Sequence, residues 1–140
     1  MKTINQNSKW GANSASFWMT LLVAAGIIFV GIRFIVNPHA GAIGFGINFS
    51  SDNDIAFGRI KGIRDIFSGL VLLPLLFFEM RRATAWVFTA AIIIPATDCL
   101  IVLATNGPSD TQHLLIHGLT ALYMAVTSFL LFRNKTQVIY

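Results

Sequence analysis

Four long apolar runs dominate the 140-residue sequence and limit the folds open to it. They cover about residues 17–36, 61–80, 83–105 and 111–132. An α-helix needs about 20 apolar residues to cross ~30 Å of hydrocarbon, and each run is close to that length. The strands of a membrane β-barrel would alternate polar and apolar residues, and these runs do not. The pattern predicts an all-α integral membrane protein, a single domain built as a bundle of four transmembrane helices.

Composition supports a membrane protein and excludes some partners. Only 11% of the residues are charged, against about 25% in soluble domains, and the mean hydropathy is +0.69. The net charge of +4 does not indicate a nucleic-acid partner, because the basic residues stand at the ends of the runs and form no patch. Cys99 is the single cysteine, so no intramolecular disulfide forms, and cysteine usage does not indicate an oxidising or a reducing compartment. No cofactor is predicted.

Lysine and arginine counts predict the orientation in the cell membrane. If both termini are cytoplasmic, the inner side holds six basic residues and the outer side two. The six are Lys2, Lys9, Arg81, Arg82, Arg133 and Lys135, and the two are Arg59 and Lys61. Basic residues accumulate on the cytoplasmic side of short loops, so this excess predicts that both termini face the cytoplasm.

The connection at residues 37–60 would then lie outside. It is rich in glycine and carries five large apolar side chains that need burial, namely Phe45, Ile47, Phe49, Ile55 and Phe57. Two interpretations stay open, a lid over the helix bundle or a plug in the membrane interface. Within the connection, Ser51-Asp52 is typical of a helix start and predicts a short helix leading into the second run.

Five ionisable residues from all four runs share one level of the predicted bundle: Arg33, Arg64, Asp65, Asp98 and His117. At 1.5 Å per residue they fall within about 5–10 Å of the outer boundary. Charges at this depth are costly and normally pair in the protein interior. Arg64 and Asp65 are neighbours on one helix and point in different directions, so each needs a partner elsewhere. We predict the pairs Arg33–Asp65 and Arg64–Asp98, with His117 nearby.

Three functions fit this charged layer. The first is a membrane enzyme that binds a small lipid-soluble substrate and converts it by acid/base chemistry. Its candidate catalytic residues are Asp65, Asp98 and His117, and its candidate ligand-binding residues are Arg33, Arg64 and Tyr123. The second is a proton-coupled transporter or relay. The third is a structural or partner-binding subunit in which the layer is scaffolding.

Metal binding is not predicted. His113 and His117 stand four residues apart, but the remaining ligands would be carboxylates already matched by arginines. The predicted partners are therefore the lipid bilayer and a small lipid-soluble ligand, and association with further copies of the chain stays open.

Several short motifs resemble one family. They are Pro-His-Ala at residues 38–40, Gly-Phe-Gly at 44–46, Lys-Gly-Ile-Arg-Asp at 61–65, Ile94-Pro95 before Asp98, and His117-Gly118. The sequence from about residue 22 to 133 resembles an uncharacterised family of small four-helix membrane proteins, a domain of unknown function loosely similar to DoxX-like proteins. The resemblance implies a four-helix membrane fold with a shared Arg/Asp/Asp/His set, and it implies no activity.

Overall fold

The computed structural model describes residues 10–133, which form six helices. These are α1 (Ala15–Val36), α2 (Pro38–Phe45), α3 (Asp52–Phe77), α4 (Arg81–Ala91), α5 (Ile93–Asn106) and α6 (Thr111–Phe132). Three of the residues used to predict orientation lie outside the described residues, namely Lys2, Lys9 and Lys135. We call the end of the bundle that carries α2 the α2 end, and the other end the opposite end.

Three helical segments are long and apolar enough to cross a membrane: Ala15–Val36, Arg81–Asn106 and Thr111–Phe132. The predicted second span, residues 61–80, overlaps α3, but α3 is not among these three segments. The charged residues of α3 end at Asp65, which leaves residues 66–77 as its uninterrupted apolar part. Twelve residues rise about 18 Å, well short of ~30 Å of hydrocarbon. By length and composition, α3 therefore differs from the other three.

Small residues let α1 and α3 pack backbone against backbone. The buried stripe of α3 carries glycine at three of its levels, Gly58, Gly62 and Gly69. A Cβ added at Gly31 of α1 would lie 2.5 Å from the Gly62 carbonyl oxygen, and one added at Gly69 would lie 2.6 Å from the Ala24 carbonyl oxygen. Only glycine permits this approach, which is common where helices associate in membranes.

The predicted third span, residues 83–105, consists of two helices that meet at Ile92. Pro95 has no backbone N–H, so the carbonyl of Ala91 loses its usual partner and the hydrogen-bond ladder is interrupted there. At this junction the Ile92 N–H donates to the carbonyl three residues earlier, that of Thr89, at 3.2 Å, instead of the usual four residues earlier. Both halves pack against α6.

The hydrophobic core lies at the opposite end. It contains Trp10, Ala24, Leu72, Leu76, Ala85, Phe88, Met124 and Leu131. Trp10 precedes α1, and its indole N–H donates to the Ser16 hydroxyl at 3.0 Å. No role was predicted for this tryptophan, because a single aromatic residue in a polar segment gives no periodic signal.

Arg81 at the start of α4 ties the opposite end together. Its guanidinium donates to the carbonyls of Leu131 at 2.9 Å, Leu130 at 2.9 Å and Arg133 at 2.6 Å. The last carbonyls of a helix have no partner within the helix, so one arginine caps the end of α6. Because of this cap and the core, the bundle is closed at the opposite end.

The connection between α1 and α3 is shorter than the predicted one. Helix α3 already begins at Asp52, so the connection comprises residues 37–51 and includes α2. The predicted helix start is confirmed, since Ser51 is the N-cap and its hydroxyl accepts from the Asp54 N–H at 3.4 Å, but there is no separate short helix because α3 continues to Phe77. The Asp54 carboxylate accepts from the backbone N–H groups of Ser50 and Ser51 in return, each at 2.8 Å.

Candidate functional site

A cavity of about 600 Å³ lies between α1, α5 and α6 at the α2 end. Small-molecule sites typically have volumes of about 300–1,000 Å³. Most of the wall is apolar, and five of the lining residues carry ionisable side chains: Arg33, Lys61, Asp98, His117 and Tyr123. Leu22 and Phe29 of α1 and Leu119 of α6 also line it, at 64%, 61% and 58% exposure. The cavity is therefore open on the side that α1 and α6 share.

An ion pair within α3 borders this cavity. The Lys61 ammonium donates to the Asp65 carboxylate at 2.6 Å, one helical turn away. The Lys61 nitrogen also lies 5.1 Å from the ring centre of Phe34 and 4.9 Å from that of Phe45, within the range of a cation–π contact. Asp65 is buried, so the lysine supplies the charge that this carboxylate needs.

The predicted pairs Arg33–Asp65 and Arg64–Asp98 are wrong. The two ion pairs within residues 10–133 are Lys61–Asp65 and Asp110–His113. Lys61 takes Asp65 because residues four apart lie on the same helix face and the lysine side chain is long. Arg33 instead donates to the Ala40 carbonyl of α2 at 3.0 Å.

Arg64 does not contribute to the cavity. It is exposed and is absent from the residues that line the cavity wall. The reason is geometric, since adjacent residues on a helix point about 100° apart and Asp65 occupies the buried face. Arg64 stays a predicted ligand-binding residue, but the structure does not bring it to Asp98.

His117 joins α6 to α2. Its Nε2 donates to the Phe45 carbonyl at 2.9 Å, and the two rings meet edge to face at 4.6 Å between centroids. A carbonyl only accepts, so Nε2 carries a proton and Nδ1 of the neutral imidazole is an acceptor. His117 is buried at 8% exposure and lines the cavity. The hydrogen bond thereby selects one tautomer of the ring.

Asp98 and Tyr123 line the cavity from α5 and α6. Asp98 is half-buried, and within residues 10–133 its carboxylate takes part in no hydrogen bond or ion pair. Tyr123 lies about 9 Å below His117 along α6, and its hydroxyl donates to the Met19 carbonyl at 3.4 Å. The cavity therefore has an unpaired carboxylate in its wall and a phenol further toward the opposite end.

A polar cluster at the turn between α5 and α6 also binds α2. The Asn106 amide donates to the Gly46 carbonyl and to the Asp110 carboxylate, both at 2.6 Å, and His113 contacts the other Asp110 oxygen at 2.7 Å. The Asn106 amide, and after it the His113 ring, hold the pKa of Asp110 below its ordinary value. Asp110 is the N-cap of α6, a position that aspartate favours, but no role was predicted for it.

The five apolar side chains predicted to need burial are distributed unevenly. Phe45, Ile47, Phe49 and Ile55 are half-buried, whereas Phe57 is exposed. Phe34 of α1 packs against the rings of Phe45 and Phe49, with centroids at 6.3 and 6.5 Å. Together with the bonds from His117 and Asn106, these contacts hold α2 across the end of the bundle.

Fold and site together define an all-helical protein with membrane-compatible helices and an apolar cavity that carries ionisable groups in its wall. The family described as Domain of unknown function (DUF4267) matches residues 24–131, so the chain belongs to that family. The matched range includes all of the cavity lining except Leu22 and Val23. No curated protein and no solved structure matches the chain. The expectation of an uncharacterised family is thus supported, and the likeness to DoxX-like proteins stays a prediction.

Proposed function

We propose that this chain is a four-span protein of the cell membrane that binds a lipid-soluble amphiphile between α1, α5 and α6. One observation carries the proposal: an apolar cavity of about 600 Å³ opens sideways between two helices and has Lys61, Asp98 and His117 in its wall. A ligand with an apolar body and a polar head would satisfy both parts of such a site. Entry from the bilayer would need no passage through water.

In this proposal α3 is the fourth span, although it is less apolar than the others. Its glycine stripe packs tightly against α1, which is itself apolar enough to cross a membrane. Lys61 and Asp65 neutralise each other, which lowers the cost of placing them near the membrane boundary. With both termini cytoplasmic, the α2 end faces outward and α2 acts as a lid over the cavity.

Acid/base conversion of the bound head group is a second candidate. The observation that favours it is that His117 and Asp98 line the same cavity and differ in their hydrogen bonding. Nε2 of His117 is committed to the Phe45 carbonyl, which leaves Nδ1 able to accept a proton. Asp98 has no partner within residues 10–133 and could exchange a proton with the same ligand. Transport is less favoured, because the apolar core and the Arg81 cap close the opposite end.

The binding proposal is tested by photolabelling. The purified full-length chain in lipid nanodiscs would be labelled with a decanol derivative that carries a diazirine on its alkyl chain, and labelled residues would be mapped by mass spectrometry. We expect labels on the facing surfaces of α1 and α6, near Phe29 and Leu119. Labels distributed over all lipid-facing surfaces would refute a specific site.

Two matched threonine variants provide the control. Thr120 and Thr105 are both exposed and each donates to the carbonyl four residues earlier, at 2.7 and 2.8 Å, but only Thr120 lines the cavity. Thr120→Trp should fill the space and reduce labelling, whereas Thr105→Trp should leave it unchanged. Equal labelling in both variants would contradict the proposal.

A further inference from the structure

Asp98 differs from the other charged residues of the cavity wall because, among residues 10–133, its carboxylate makes neither a hydrogen bond nor an ion pair. Within residues 10–133, Lys61 pairs with Asp65, Arg33 donates to Ala40 and His117 donates to Phe45. Asp98 is half-buried in the same wall and takes part in no such contact there. Each basic group of the wall therefore makes at least one contact within residues 10–133, although Arg33 has no carboxylate partner there, and Asp98 makes none.

A carboxylate in an apolar cavity is expensive unless a cation or a hydrogen-bond donor reaches it. Arg33 is tied to α2 through the Ala40 carbonyl, and the charges of Lys61 and His117 act on Asp98 from a distance, without an ion pair within residues 10–133. Lys61 would have to leave both Asp65 and its two aromatic contacts to reach Asp98. A cationic group on the ligand would instead complete the site and leave the existing contacts intact.

The remainder of the cavity determines the rest of the ligand. From Ile116 to Met124, α6 lines the cavity over about 12 Å, with Ile116, Leu119 and Met124 as its apolar lining side chains. An extended hydrocarbon chain would fill this length and lie along the opening between α1 and α6. We propose that the ligand is a lipophilic amine, whose ammonium group pairs with Asp98 and whose alkyl chain occupies the apolar part of the cavity. This inference rests on the proposed binding function and names its ligand class.

The test is competition against the photoactivatable decanol by decylamine, decanol and decanoic acid, which share a chain and differ in the head. A charge-assisted bond to Asp98 should let decylamine displace the label at roughly tenfold lower concentration than decanol, and decanoic acid should be the weakest. In Asp98→Asn the advantage of decylamine should disappear, while displacement by decanol stays the same. Asp98→Glu, which keeps the charge, should retain the advantage.

Asp52→Asn is the matched control, since it removes an exposed carboxylate at the start of α3 that does not line the cavity. Equal competition by amine and alcohol, or stronger competition by decanoic acid, would overturn the amine assignment and leave the binding proposal standing. An amine advantage that persists in Asp98→Asn would also overturn it. If Asp98→Asn does not fold, the ranking of the three compounds on the native chain decides. Loss of specific labelling altogether would refute the binding function itself.

Discussion

Lys61 and Asp65 form an ion pair of 2.6 Å within one helix, next to a cavity that all six helices help to line. Removing one partner leaves the other charge unmet, whereas removing both can be nearly neutral. Asp65→Leu and Lys61→Met should each reduce the free energy of unfolding by up to about 3–5 kcal/mol. The loss would be measured as a lower unfolding temperature in detergent. The double variant should recover part of the loss. If the double variant loses as much stability as the two single variants together, the ion pair is contradicted. Arg64→Leu is the control, and its effect on stability should simply add to that of Asp65→Leu.

The contact between α1 and α3 should not tolerate a methyl group at Gly31. Its Cβ would lie 2.5 Å from the Gly62 carbonyl oxygen, and backbone cannot move aside as a flexible side chain can. Gly31→Ala should cost about 1–3 kcal/mol of stability, measured by thermal unfolding in detergent. Gly26→Ala, on the same helix with nothing within 4 Å of the added atom, should be neutral or slightly stabilising. Equal losses in the two variants would refute this close approach.

Arg81 should contribute to stability through its shape as well as its charge. Arg81→Lys keeps the charge but cannot donate to the carbonyls of Leu130, Leu131 and Arg133 together. We expect a loss of about 1–3 kcal/mol and faster proteolysis at the end of α6. Arg82→Lys, an exposed neighbour, is the control and should unfold like the native chain. No difference between the two variants would contradict the cap.

Stability should depend on pH through Asp54. The backbone N–H groups of Ser50 and Ser51 hold the pKa of this carboxyl below its ordinary value of 3.8. A lowered folded-state pKa means that the contribution is complete above the unfolded value and is lost as the pH falls through the folded value. The gap in unfolding temperature between the native chain and Asp54→Ala should therefore be constant above about pH 5 and narrow below 3.8. Asp52→Ala serves as the control, and a gap that does not change with pH would refute the linkage.

Membrane topology can be checked with reporters. In the proposed four-span arrangement, a reporter inserted between Arg81 and Arg82 and one after Tyr140 should both be cytoplasmic. A reporter at Ser109, between α5 and α6, should be external. A Ser109 site on the same side as the C-terminus would mean that α6 does not cross the membrane. A site at Arg81 on the same side as Ser109 would exclude the segment Arg81–Asn106 as a span.

Much of the local structure followed from the sequence. Long apolar runs and the N-cap at Ser51 indicate where helices form and begin, because hydrogen bonding along a helix involves residues only a few positions apart. The same reasoning selected Asp98, His117 and Tyr123, which all line the cavity. These residues were accessible to sequence analysis because polar groups are conspicuous in apolar helices.

The tertiary structure decided which groups meet. Lys61 rather than Arg33 pairs with Asp65, and Arg33 bonds to α2. These outcomes depend on how each helix is rotated and on how far flexible side chains reach, and hydropathy contains neither quantity. The cavity also exists only in three dimensions, because glycine contacts draw α1 toward α3 while the core and Arg81 close the opposite end. Sequence specifies the helices and their polar residues, and packing between helices specifies the site.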